Sequence, residues 1–300
     1  MERSGFGAQT LSVTRRTLVL TLAALVAFAS NSLLCRAALR GGAIDAATFT
    51  SVRMAAGALA LALLVRVRAS SWSAIRGGSA LAAVALYGYA IAFSFAYLRL
   101  EAGAGALILF GSVQVTMIGW SVARGQAPHA LFWVGLAVAL FGLVLLTAPG
   151  RAAPDLTGAL LMALAGAAWG VYSLLGRSSP QPVAANAANF LRTLPLALAA
   201  SLLLRPGFRA SAAGLALAVV SGALTSGVGY AIWYAALPGL SSSRAAVVQL
   251  AVPVLAAVGA VALLGERVTT RLLASGLLVL GGIGLALYEK ARETAPQPPR

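Results

Sequence analysis

The sequence predicts an all-α integral membrane protein, with ten transmembrane helices arranged as two inverted five-helix repeats around a central cavity. Three observations predict it. The chain is 60% hydrophobic and only 10% charged, with a mean hydropathy of +0.90, whereas a soluble domain carries about 25% charge and needs it on its surface. Apolar runs near the roughly 20 residues that a bilayer core requires occur ten times. Short motifs of the first half return, in order, in the second.

Reading for apolar runs broken by Arg, Pro, Gly and Ser clusters places the spans at 17–38, 46–65, 77–98, 103–123, 130–148, 156–175, 183–204, 212–236, 243–264 and 271–288. The connections are short, so sequential helices are expected to be neighbours. The first run is of spanning length and is expected to be retained rather than cleaved. The chain then divides into an N-terminal segment (1–16), a first repeat (17–148), a second repeat (156–288) and a tail (289–300) too poor in apolar residues to pack.

The repeat rests on several matches at a nearly constant offset. "SLLCR" (32–36) returns as "SLLGR" (173–177), and "GYAI" (88–91) returns at 229–232. "FAYL" (95–98) matches "YAAL" (234–237), Arg53 matches Arg192, and Gly125–Gln126 matches Gly265–Glu266. One such match in an Ala/Leu/Gly-rich chain is chance; five in order are a duplication. Because each unit crosses the membrane an odd number of times, the second copy starts on the opposite side. The halves are therefore inverted. The side holding both termini carries the excess of Lys and Arg, which puts the termini in the cytoplasm of an inner membrane.

Composition also excludes functions. The net charge of +15 comes from 22 basic residues scattered at segment ends, a pattern suited to lipid headgroups and not to nucleic acid. Cys35 and His129 are each the sole residue of their kind. That excludes an intrachain disulfide, a cysteine cluster and a two-histidine metal site, and no cofactor or metal is expected. No Asp or Glu lies mid-span, so a buried carboxylate proton relay is not expected. The same scarcity of acids, His and Cys argues against an enzyme.

Inverted repeats suit alternating access around a midplane pocket. Polar and aromatic residues within spans mark its lining, because they are costly against lipid. They are Asn31 in span one, Tyr87 and Tyr89 in span three, Phe110 and Gln114 in span four, Trp169 and Tyr172 in span six, Tyr230 and Tyr234 in span eight, and Gln249 in span nine. Trp120 of span four is grouped with them; Trp133 reads as an interface anchor. The competing reading is that such groups bond packed helices together. Spans five and ten lack mid-span polar groups, and their glycines, Gly276, Gly281, Gly282 and Gly284, suit tight packing at the periphery. Gly166 and Gly170 form a GxxxG contact face.

Arg53 and Arg192 are the only charges well inside spans. Such placement costs roughly 2.5–3.5 kcal/mol on insertion scales. Their matched positions suggest a structural pair; the alternative is that one attracts an anionic substrate group. Pro195, Pro253, Gly227 and Gly229 are hinge candidates.

These residues resemble the EamA branch of the drug/metabolite transporter superfamily. The resemblance rests on an Arg in the second helix of each half, "Y-A-x-L" near the end of the third, and "P-V…G-E" along the fourth. The second half fits, with "YAAL", Pro253–Val254 and Gly265–Glu266. The first half departs from it, with Gln114 in place of the Pro and Gln126 in place of the Glu. The resemblance implies a basket-like fold and export of amino acids or related metabolites. The aromatic-rich pocket is similar to that of aromatic amino-acid exporters. An exporter of nucleosides, sugars or drug-like compounds, and a non-transporting membrane enzyme or assembly factor, are the alternatives. The expected partners are a small-molecule substrate and the lipid bilayer, with a homodimer left open.

Overall fold

Polar residues between the apolar runs start the helices, by accepting the first free backbone N–H groups. Thr14, Asp45, Ser79, Asp155, Ser211 and Thr269 each do so, receiving the amide of the third residue onward at 2.7–3.2 Å. The computed structural model describes residues 14–69, 75, 77–125, 130–148, 153–176, 179–204, 207–240 and 248–293. The N-terminal 1–13, Gln126, His129, the first part of span nine and the last seven residues of the tail lie outside the described residues.

The described chain is helical: α1 (Arg15–Arg40), α2 (Ala46–Ala69), α3 (Ala80–Tyr97), α4 (Ala102–Ala123), α5 (Ala130–Thr147), α6 (Leu156–Gly176), α7 (Pro182–Leu203), α8 (Ala212–Gly239), α9 (Ala251–Leu264) and α10 (Thr270–Glu293). Within α8, Ser221–Val228 is π-helical and Leu237–Gly239 is a 3₁₀ turn. By length and composition, α1, α2, α3, α4, α6 and α8 can each cross a membrane. The apolar stretches of α5, α9 and α10 are shorter. Helix α7 has the length, but Asn186, Asn189, Arg192 and Thr193 dilute its hydropathy.

Two expectations are corrected here. Helix α10 runs to Glu293, so the helix continues five residues into the segment read as an unstructured tail. Its polar end, "EKARE", is made of good helix formers and needs no packing to extend a helix already begun. Sequential helices are also not the main neighbours: α2 and α3 pack together, but α1–α2, α3–α4 and α6–α7 touch only marginally.

The extensive contacts instead join the two halves, and they come in exchange-related pairs. Helix α3 packs on α6, as α1 packs on α8; α4 packs on α6, as α1 packs on α9; α3 packs on α7, as α2 packs on α8. Equivalent helices also meet directly, α2 with α7, α4 with α9 and α5 with α10. Glycines permit the close crossings. A Cβ at Gly57 would lie 2.6 Å from the Phe190 ring, and one at Gly222 would collide with the Arg53 carbonyl oxygen. Gly166 and Gly170 face Leu109, Ser112 and Thr116 of α4. On α10, only Gly282 is pressed, against Gly135 and Ala139, whereas Gly281 and Gly284 have open space.

Connections meet at both ends of the bundle. The α1–α2 connection pairs with the α7–α8 connection through an antiparallel bridge, Ile44 to Ala210, and the Asp45 amide donates to Arg209 O at 2.9 Å. The Asp45 carboxylate accepts the Arg209 N–H at 2.9 Å. Burial acts to raise its pKa, but these hydrogen bonds and those from Thr48 outweigh it and hold the carboxyl below its ordinary value. At the other end of α2, Ser79 N–H donates to Asn189 Oδ1 at 3.0 Å, and Arg192 donates to Gly77 O at 2.8 Å. The α2–α3 connection therefore lies against the first half of α7.

Candidate functional site

Aromatic side chains on five helices converge where the halves meet. Trp169 of α6 is the hub, with ring centroids 4.9 Å from Tyr89, 5.0 Å from Tyr230 and 5.5 Å from Tyr172. Phe28 of α1 meets Tyr230 and Trp233 edge-on at 5.8 Å, and Phe93 meets Tyr89 at 5.4 Å. Offset and edge-on pairs of this kind add about 0.5–1.5 kcal/mol each beyond area burial. They enclose a cavity lined by Phe28, Asn31, Ser32, Tyr89, Phe93, Leu109, Phe110, Trp169 and Tyr230. Its volume is about 20 Å³, room for a water molecule and no more. As it stands among the described residues, the cavity is too narrow for an amino acid.

The sequence-predicted lining residues divide. Asn31, Tyr89, Phe110, Trp169 and Tyr230 line the cavity. Tyr172, Tyr87, Gln114, Tyr234 and Gln249 do not. Tyr172 is buried one layer behind Trp169, its hydroxyl donating to Asn186 Oδ1. Tyr87 is two residues from Tyr89, about 200° around the helix, and its buried hydroxyl has no hydrogen-bond partner. Gln114 is buried one turn beyond Phe110, Tyr234 is one turn beyond Tyr230, and Gln249 precedes the start of α9. Trp120 is half exposed, and the Arg124 guanidinium lies 4.6 Å from its ring, an arrangement suited to an interface. Leu109 escaped the sequence reading because an aliphatic residue in an apolar span carries no signal; Phe28 and Phe93 met the aromatic criterion that selected Phe110 and were passed over. Asn186 and Asn189, one turn apart in a span, did carry one.

Arg53 and Arg192 do not share a setting. Arg192 is exposed and reaches Gly77 O. Arg53 is fully buried. Its Nε donates to Ser226 Oγ at 3.1 Å and its Nη2 to Tyr89 Oη at 3.0 Å, while its Nη1 has no hydrogen-bond partner among the described residues. The guanidinium carbon lies 5.1 Å from the Phe93 ring centroid and 5.3 Å from that of Tyr89, within cation–π range. The ion pairs among the described residues lie elsewhere, Arg36–Glu266 and Arg99–Asp155.

Asn31 carries the cavity's amide. Its Oδ1 accepts from Ser221 at 2.9 Å, from Ser226 at 3.3 Å and from Thr225, all in the π-helical part of α8. That stretch contains the hinge candidate Gly227, and Gly229 follows it; π-helical turns often mark functional positions. Pro253 is at the third position of α9, after a turn at Leu250. It therefore stands at a helix start, where a missing N–H is tolerated, rather than inside a continuous span. Pro195 is within α7 and faces outward.

The "GE" motif closes one end of the seam. Gly265, at φ +65°, ends α9 in the left-handed region that glycine favours. Glu266 then turns back to Arg36 at 3.4 Å and accepts the Ala102 N–H at 2.8 Å, where the α4 dipole favours an anion. Arg36 also donates to Tyr97 O at 2.9 Å. Burial first, then the Glu266 charge, pushes the nearby Glu101 carboxyl above its ordinary pKa.

Apolar helices joined across a seam, with an aromatic chamber between them, define a multi-pass membrane protein of transporter type. The family model for the EamA-like transporter family matches residues 156–288. The chain is 53% identical over 281 residues to the uncharacterized protein PA1977 of Pseudomonas aeruginosa, covering 94% of this chain and 98% of that one. The chain belongs to the EamA-like transporter family, part of the drug/metabolite transporter superfamily. A solved crystal structure shares the fold, with a TM-score of 0.66 and 18% identity over 92% of this chain and 98% of the other.

Proposed function

We propose that the protein is an inner-membrane exporter of amino acids, aromatic or other neutral ones, or related small metabolites. It works by alternating access between two inverted five-helix repeats, with both termini in the cytoplasm. The observation that carries this reading is the chamber at the seam: an aromatic cage around one amide, drawn from α1, α3, α4, α6 and α8. Aromatic faces suit an apolar side chain, and the amide and hydroxyls suit the polar end of an amino acid.

Two further observations support it. The exchange-related helix contacts are what an internal two-fold would produce. The α1–α2 connection meets the α7–α8 connection, while the α2–α3 connection meets the start of α7. Since α2 and α7 each run the length of the bundle, the corresponding connections α1–α2 and α6–α7 then fall at opposite ends, as inversion requires. The chamber is too small for an amino acid as it stands, so transport requires it to widen. Opening it calls for bending, and the π-helical turn of α8 and the turn before α9 are where the backbone is already interrupted.

Purified protein in liposomes tests the reading. Uptake of labelled tryptophan, phenylalanine or leucine should saturate and should be lost in Trp169→Ala while the variant remains folded. Flux of nucleosides or sugars in place of amino acids would select the alternative substrates. Absence of flux for any small solute would overturn the transporter reading.

A further inference from the structure

We propose that Arg53 makes the chamber selective for a solute bearing a carboxylate, acting through Asn31 and Tyr89. The inference rests on the exporter reading above and names which end of the substrate that site recognises.

Arg53 is a full positive charge with no exposed surface and no carboxylate partner among the described residues. A buried cation is costly unless something supplies the opposite charge. Its hydrogen bonds here go to neutral hydroxyls, and one of its nitrogens has none. Among the described residues, then, no group supplies the opposite charge to this cation.

That cation is one side chain away from the cavity, along two routes. In the first, Arg53 Nε–H donates to Ser226 Oγ, and the Ser226 hydroxyl donates to Asn31 Oδ1. With Oδ1 also taken by Ser221 and Thr225, the part of the amide left to face a ligand is its NH₂ group, a donor. In the second, Arg53 Nη2–H donates to the Tyr89 oxygen. The Tyr89 hydroxyl proton must then point away from the guanidinium. Both Asn31 and Tyr89 line the cavity, so donors polarised by one buried cation form part of its wall.

This wall is built for a monoanion. One arginine and neutral donors match a single carboxylate charge, with the Tyr230 hydroxyl bonded to Tyr89 on the polar side, while the Trp169 and Phe28 rings offer apolar faces. Low dielectric around the site strengthens the attraction. Arg192, its counterpart in the sequence matches, forms no such centre, since it is exposed and bonded to a loop carbonyl.

The test compares solutes that differ only at the carboxylate: L-phenylalanine and L-tryptophan against their carboxamides. Wild-type protein in liposomes should take up the acids with apparent affinity about tenfold or more above the amides, the scale of one charge-assisted interaction. Arg53→Gln should abolish that preference and Arg53→Lys should retain part of it. Asn31→Asp places a carboxylate between the cation and the solute, and should invert the preference toward the amides. The wild-type comparison stands even where a variant fails to fold. Equal uptake of acid and amide by wild type would overturn the inference and leave the exporter reading intact. Uptake of neither would overturn both.

Discussion

Arg53 on α2 and Arg192 on α7 correspond in the sequence matches between the halves, yet one is buried beside the chamber and the other is exposed against a loop. The "GYAI" pair diverges in the same way. A Cβ at Gly88 of α3 would meet nothing, whereas one at Gly229 of α8 would press on Ala27 at 2.9 Å. Helix α3 is a regular α-helix, and its mate α8 contains a π-helical stretch. If the halves are copies, as the sequence matches suggest, corresponding positions do not share duties. The first half supplies the buried charge, and the second supplies the interrupted backbone that surrounds it.

This asymmetry can be broken experimentally, most strongly at the arginines. Arg53→Met should reduce flux at least about tenfold with melting temperature unchanged or raised, because an unpaired buried cation is replaced by an apolar chain of similar volume. Arg192→Met should leave flux intact and shift stability by less than about 1 kcal/mol. Similar flux losses in the two variants would erase the distinction.

The glycine pair gives a smaller effect of opposite signs. Gly229→Ala should cost about 1–3 kcal/mol by overpacking against Ala27. Gly88→Ala should gain about 0.5–1 kcal/mol from lower unfolded-chain entropy. Thermal unfolding in detergent reads both, and equal shifts would contradict the packing account.

Asp45 gives the smallest effect. Its folded pKa lies below its unfolded value, so its contribution is present above the unfolded pKa, near 4, and is lost as pH falls through the folded value. Being partly exposed, it should contribute only a few tenths of a kcal/mol. Asp45→Asn should flatten the decline in stability between about pH 5 and 3; an unchanged slope would assign that decline to other groups.

The helices were legible because a bilayer imposes a length and a polarity that hydropathy reports directly. Asn31, Tyr89, Phe110, Trp169 and Tyr230 were legible for the converse reason, since polar and aromatic groups in apolar spans have to be placed somewhere. Tyr87 and Gln114 satisfied the same criterion and face elsewhere, because periodicity is weak in a helix that is apolar all round. Leu109 had no such mark, and Phe28 had it but was not singled out. The split between Arg53 and Arg192 was hidden because sequence equivalence reports ancestry, while burial depends on which neighbours the other half provides.

The central claim, two copies inverted about a shared seam, is tested most directly by the sidedness of equivalent connections. Single cysteines in place of Gly41, in the α1–α2 connection, and of Gln181, before α7, can be introduced in a Cys35→Ser background. Intact cells are then treated with a membrane-impermeant maleimide. The account predicts labelling at position 41 from outside, and at position 181 only after the membrane is permeabilised. Labelling of both positions from the same side would contradict it.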